Sequence, residues 1–362
     1  MQTDKPAKLI LDDGTILEGK SFGSETPSAG EVVFNTAMVG YPESLTDPSY
    51  LGQILVVTFP LVGNYGVPEN TFTNGISDFY ESERIQVSGL IISDYSHEYS
   101  HWNAKKSLGE WLKENNIPGI YGIDTRELTK ILREKGSMKG KIVFEAETDI
   151  NFIDPNQENL VSKASCKEVI TYGNGDKKVV LVDCGVKHNI IRCLLKRDIT
   201  LIRVPWNYDF NQIDYDGLFI SNGPGNPDYC EITVENIRKA MLKDKPICGI
   251  CMGNQLLSKA GGATTYKLKY GHRSHNQPVK MVGTNKCFIT SQNHGFAVAN
   301  ASLGEEWEPR SLTLMTEQTR AYATKLNPSF RHSFTPRRQA DPLILIFYSI
   351  YFLKNCKIQY GQ

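Results

Sequence analysis

Residues 249–253 read Gly-Ile-Cys-Met-Gly and stand between a short strand-like run, Lys245-Pro246-Ile247-Cys248, and a helix-like run, Asn254-Gln255-Leu256-Leu257-Ser258-Lys259-Ala260. A cysteine set between two glycines at a strand-to-helix turn is a nucleophile elbow with sulfur in place of the hydroxyl oxygen. So sharp a turn needs positive or crowded backbone angles that a Cβ obstructs, which is what the glycines avoid. The chain is thereby tied to one local geometry of strand, tight turn and helix. The turn directs the Cys251 thiol outward and sets it at a helix N-terminus, where unpaired N–H groups and the helix dipole favour thiolate over thiol. Such a sulfur attacks electrophilic carbon.

Two other readings of Cys251 compete with this one. A free cysteine commonly serves as a small buried hydrophobe. Cys248-Gly249-Ile250-Cys251 is also a C-x-x-C, a pattern that can mark thiol–disulfide exchange. In that chemistry the first cysteine normally opens the helix, whereas here Cys248 belongs to the strand.

At 362 residues the chain has room for two domains, each with a core of ordinary size. Forty acidic and forty basic side chains cancel, so charge points to neither nucleic acid nor an anionic membrane, and a small-molecule substrate fits better. The eight cysteines, spread from Cys166 to Cys356, do not form the dense framework of a small secreted protein, and a reducing compartment is expected. Met1 to Lys8 carry no apolar or Arg-rich targeting pattern, so the chain as written reads as cytoplasmic, or as mitochondrial if a targeting segment is missing. The longest apolar run, Pro342 to Leu353, is too short for a bilayer, which takes about 20 residues.

Strand-like runs at Lys8–Leu11, Glu31–Phe34 and Gln53–Thr58 precede helical periodicity at Ser107–Leu112 and at Glu127–Arg133, the latter capped by Asp124-Thr125. Residues 1–145 are therefore expected to form an α+β domain, with a polar, aperiodic linker over 146–176. From 177 the pattern changes to buried strands at Val179–Val182, Thr200–Val204 and Gly217–Ile220, with a helix-like stretch from Asn189 to Arg197. This alternation predicts an α/β domain with a doubly wound, mostly parallel sheet. Ligands in such sheets sit at the carboxyl ends of strands. Two glycine-rich turns occupy those ends: Ser221-Asn222-Gly223-Pro224-Gly225-Asn226-Pro227 and the Cys251 elbow.

A thiol attacking an amide carbon needs donors for the developing oxyanion. Gly223 and Gly225 can bring main-chain N–H groups close to the sulfur, although by themselves they also suit an ordinary tight turn. His294, in Ser291-Gln292-Asn293-His294-Gly295-Phe296, can by spacing be a base or a structural histidine.

These segments, together with Gly271-His272-Arg273 and Asn276-Gln277-Pro278, resemble the class I glutamine amidotransferase domain of carbamoyl phosphate synthetase. Gly30-Glu31-Val32-Val33-Phe34-Asn35-Thr36, Gly40-Tyr41-Pro42-Glu43, Leu45-Thr46-Asp47-Pro48-Ser49-Tyr50 and Asp124-Thr125-Arg126-Glu127-Leu128-Thr129 resemble the small-chain N-terminal domain of the same enzyme. Detail such as His101-Trp102 and Lys106-Ser107-Leu108-Gly109 is most similar to the animal urea-cycle type, and Cys251 to its glutamine-using relatives, since the strictly ammonia-dependent branch lacks the nucleophile. The resemblance implies hydrolysis of glutamine through a Cys251 thioester, with ammonia passed to a large synthetase chain or fused synthetase domains. It implies that the N–H groups of Gly223 and Met252 hold the oxyanion. Ser49, Gly225, Gln255, Asn293, Gly295 and Phe296, with Gly223 and Met252, would line the glutamine site, and His294 would be a pocket-forming neighbour. No cofactor or metal is expected on this chain; ATP, bicarbonate and a metal ion would belong to the synthetase partner.

The resemblance also implies a Phe-His-Pro-Glu strand end carrying base and orienting carboxylate, but the chain reads Phe334-Thr335-Pro336-Arg337. Codons compatible with Arg320–Lys325 yield the family-like Glu-Gly-Ile-Cys-His-Glu in a shifted frame. The amidotransferase domain is therefore expected over 177–319, followed by an aberrant, out-of-frame tail over 320–362 in which the last elements of the fold are lost or misfolded. A different class of function follows if the triad is truly absent: a non-catalytic regulatory or docking subunit.

Overall fold

The computed structural model describes residues 5–144, 150–243, 245–304, 307–313 and 319–324, and the chain divides into two units, 1–157 and 158–362. In the first unit, β1 (Pro6–Leu11), β2 (Ile16–Ser21), β3 (Ser28–Asn35), β4 (Gln53–Val57), β5 (Gly89–Ile91), β6 (Gly119–Tyr121) and β7 (Met138–Val143) close into a barrel in the order β1-β7-β3-β4-β5-β6-β2. Closure leaves these strands no free edge. Leu9 and Leu11 on β1 are buried and Lys8 and Ile10 are not, the period-two pattern of a wall with one face inward. All five residues of β4 are buried.

Helix α1 (Leu108–Glu114) starts in a capping box: Ser107 Oγ accepts from Glu110 N, and Glu110 Oε2 accepts from Ser107 N at 2.8 Å. Helix α2 (Thr125–Lys135) starts at Asp124, whose carboxylate accepts from Glu127 N at 2.8 Å. Each such cap is worth about 1 kcal/mol. Leu108, Trp111 and Leu112 of α1 join Leu55, Leu90 and Tyr80 in the core of this unit.

The second unit contains α3 (Leu160–Ala164), β8 (Ile170–Tyr172), β9 (Lys177–Asp183), α4 (His188–Leu195), β10 (Ile199–Pro205), β11 (Gly217–Ile220), α5 (Glu231–Met241), β12 (Ile247–Gly249) and α6 (Met252–Ala260). Strand order is β8-β10-β9-β11-β12, with β10, β9, β11 and β12 mutually parallel and β8 antiparallel at the edge. This is the α/β sheet the apolar runs predict. Val180, Val182, Leu218, Ile220 and Ile247 form its core with Leu256 and Leu257 of α6 and Val234 and Ile237 of α5. Burying one such side chain contributes roughly 1.5–3 kcal/mol.

The stretch expected as a linker over 146–176 is only partly that, because α3 and β8 fall within it and belong to the second unit. Leu160 and Val161 are buried, whereas Ile170 and Thr171 of the three-residue β8 are exposed, so no hydrophobic period announces the strand.

A second sheet of four antiparallel strands, β13 (Thr265–Met281), β14 (Cys287–Val298), β15 (Trp307–Thr313) and β16 (Thr319–Thr324), has the order β14-β13-β15-β16. Residues 320–324, the start of the stretch expected as an aberrant tail, lie in β16, which pairs with β15. The rest of that tail, including Phe334-Thr335-Pro336-Arg337, lies outside the described residues. Among the described residues no helix is long and apolar enough to cross a membrane.

Candidate active site

β12 ends at Gly249, the chain turns through Ile250 and Cys251, and α6 begins at Met252. Cys251 has φ 53° and ψ −106°, a conformation that costs a residue with a Cβ about 1–3 kcal/mol. The surroundings enforce it. Gly253 N donates to Ser221 O and to Ile250 O, both at 2.9 Å, and Ile250 N donates to Ile220 O at 2.9 Å. A Cβ on Gly253 would lie 2.2 Å from Ile220 O, and one on Gly249 would lie 2.5 Å from Gly253 C. The flanking glycines thus let three backbone segments touch, the geometry of a nucleophile elbow.

The thiol is half-buried, and Sγ lies 3.5 Å from Asn293 O, to which it donates. Cys248, three residues earlier, points into the sheet interior, and burial pushes its thiol up to about 12.

The facing side comes from the β13–β14 hairpin, paired His272↔His294 and Arg273↔Asn293. Gln255 on α6 donates from Nε2 to Phe296 O at 2.7 Å, and His294 donates from Nδ1 to the same carbonyl at 2.8 Å. The ring of His294 meets that of His272 edge-on at 5.2 Å. One nitrogen of His294 is therefore engaged in shaping its own strand. Met252 is buried in the core, so its side chain anchors α6 and only its main chain is at the turn.

The turn after β11 lies beside the elbow through the Ser221 O bond already described. A Cβ on Gly223 would sit 2.1 Å from Cys184 O, so this residue rests directly on the backbone that follows β9. Gly225 has φ +78° and packs against Leu160.

The family model described as "Carbamoyl-phosphate synthase small chain, CPSase domain" matches residues 9–142, and that described as "Glutamine amidotransferase class-I" matches residues 180–330. The chain joins a carbamoyl-phosphate synthase small-chain domain to a class-I glutamine amidotransferase domain. The second match continues past 319, where the chain was expected to part from the family. Multifunctional protein CAD of Squalus acanthias is 48% identical over 346 residues, covering 94% of this chain and 15% of that protein. Carbamoyl-phosphate synthase [ammonia], mitochondrial, of Homo sapiens is 46% identical over 342 residues, covering 93% of this chain and 23% of that protein. Multifunctional protein pyr1-3 of Dictyostelium discoideum is 48% identical over 362 residues, covering 93% and 16%. The chain thus spans between 15% and 23% of the length of these relatives.

Within the amidotransferase domain, the structure brings Cys251 to Asn293 and Gln255 to Phe296, and sets the Ser221–Gly223 turn beside the elbow. Gly295 lies between Asn293 and Phe296 on β14, and a Cβ there would lie 3.3 Å from Arg273 Nη2. Ser49 belongs to the small-chain domain, in a turn over Pro48–Tyr50 where its N–H donates to the Asp47 carboxylate at 2.9 Å.

Sequence reasoning missed Asp183, Arg203 and Asn222, which organise the turn under Gly223. The available signal was a carboxylate at the carboxyl end of an apolar strand, directly after Val179–Val182.

Proposed function

We propose that this chain is the glutamine-hydrolysing component of a carbamoyl phosphate synthetase, and that Cys251 is its nucleophile. The thiolate adds to the γ-carbonyl carbon of glutamine. The oxyanion rests against the N–H groups of Gly223 and Met252; the C–N bond then breaks and ammonia leaves with a proton. Water cleaves the glutamyl thioester, releasing glutamate and restoring the thiol. Gly225, Gln255, Asn293, Gly295 and Phe296 complete the glutamine site, and the ammonia passes to a synthetase partner that holds the ATP, bicarbonate and metal ion. The observation that carries this reading is the strained backbone of Cys251 at the head of α6, wedged between Gly249 and Gly253. A half-buried thiol in that conformation is hard to explain as a packing residue, because a core cysteine needs no positive φ.

Phe334-Thr335-Pro336-Arg337 supports a second reading. Where the resemblance implies a triad histidine and glutamate the chain carries Thr335 and Arg337, and losing the general base of a thiol nucleophile lowers turnover by orders of magnitude. The chain would then dock and regulate the synthetase without hydrolysing glutamine. Glutamate release, measured for the chain and for Cys251→Ala, separates the two: release above that of the variant supports hydrolysis, and equal background supports docking.

A further inference from the structure

Asp183 ends β9 with no solvent exposure, and its carboxylate collects five donors. Oδ1 accepts from Gly185 N and Val186 N, each at 2.8 Å. Oδ2 accepts from Cys166 N at 2.8 Å, Arg203 Nε at 2.8 Å and Arg203 Nη2 at 2.7 Å. One oxygen thus bends the backbone of 184–186 into a shelf, while the other ties that shelf to β10 and to the segment after α3.

The shelf in turn holds the Ser221–Gly223 turn. Cys184 N donates to Ser221 Oγ at 2.9 Å, and Ser221 Oγ donates to Asn222 O at 2.7 Å. Asn222 accepts from Lys187 N through Oδ1 at 3.1 Å and donates from Nδ2 to Gly185 O at 3.0 Å. Cys184 O lies against the Cα of Gly223, and Ser221 O accepts from Gly253 N of the elbow.

We infer that Asp183 and Asn222 are positioning residues for the oxyanion site: through the 184–187 shelf they set the height of the Gly223 amide relative to the Cys251 sulfur. This rests on the amidotransferase reading. Preorganised donors act only when aimed at the oxyanion position, so a small shift of the Gly223 amide is felt in acyl transfer. It is not felt in reactions that form no oxyanion. Direct displacement of iodide from iodoacetamide is such a reaction, because Cys251 sulfur bonds to carbon as iodide leaves.

The test compares both reactions on the full chain. Acylation by γ-glutamyl-p-nitroanilide is followed as release of p-nitroaniline, which departs with the thiol proton as the thioester forms. Alkylation of Cys251 by iodoacetamide is followed by mass spectrometry. Asn222→Ala and Asp183→Asn should each slow acylation about 10- to 100-fold, approaching the loss of one oxyanion donor, while alkylation changes less than about twofold. Two variants are used because Asp183→Asn leaves Arg203 underpaired in the interior, whereas Asn222→Ala leaves that ion pair intact. If both rates fall together, or if neither moves, the two residues hold the fold rather than the amide and the inference is overturned. Acylation of the unaltered chain no faster than that of Cys251→Ala would remove the amidotransferase reading itself and this inference with it, a result distinct from the previous two.

Discussion

Cys248 and Cys251 lie three residues apart and occupy two different worlds. The first is inside β12, its sulfur enclosed by the sheet and its thiol pushed up to about 12 by burial. The second stands two residues past the strand end, half-buried, on a backbone with φ 53°. The sulfur is the same; strand interior and elbow differ in what backbone geometry does with it. A strand of a parallel sheet hides side chains on both its faces, as β12 does, and a forced turn past its carboxyl end presents one for chemistry.

The comparison is broken most directly by exchanging the sulfurs. Cys251→Ala should remove glutamate release down to background, a loss on the order of 100-fold or more in whatever turnover the chain supports, while Cys248→Ser retains most of it. Loss in both variants would revive the thiol-exchange reading. Next in size is the geometry of the turn itself. Gly253→Ala drives a Cβ to 2.2 Å from Ile220 O, a backbone atom that cannot swing aside, and should cost about 3 kcal/mol in urea unfolding. Gly89→Ala on the barrel wall meets Cδ1 of Ile142, the far end of a side chain, at 2.5 Å and should cost nearer 1 kcal/mol. Equal costs would show that the elbow is no more constrained than a packed strand.

Selective alkylation sharpens the contrast further. At pH 9 iodoacetamide should modify Cys251 at least about tenfold faster than Cys248, since only the thiolate reacts and burial holds Cys248 protonated to about 12. The same shift has a consequence for stability. The folded chain keeps a proton on Cys248 that the unfolded chain releases near its ordinary value of 9.0, so stability present below that pH is lost progressively as pH rises toward about 12. The smallest effect is at the strained residue. Cys251→Gly should raise stability by about 1 kcal/mol, strain relief outweighing the added chain entropy. An unchanged or lower unfolding midpoint would mean that the positive φ is not a stored cost.

Much of this architecture is legible from local signals. The glycines around Cys251, the cap at Asp124 and the continuous apolar run at Val179–Val182 each act over a few residues, through sterics or through one hydrogen bond. The elbow, the helix starts and the parallel sheet could therefore be placed before any coordinates. The short edge strand Ile170–Tyr172 could not, because its exposed side chains leave no period and only its pairing with β10 defines it.

The amino-acid order by itself determined where the turn must be sharp, which sulfur stands in it and which segments alternate as strand and helix, because each follows from near neighbours along the chain. Tertiary structure alone decided the closure of the barrel, the seating of Gly223 on Cys184 O, the five-donor site around Asp183 and the bond from Gln255 to Phe296 O. Apart from the local bonds from Gly185 N and Val186 N to Asp183, those features join residues about 20 to 130 positions apart, and what fixes them is the cost of leaving buried polar groups unpaired and apolar faces uncovered, which no local pattern encodes.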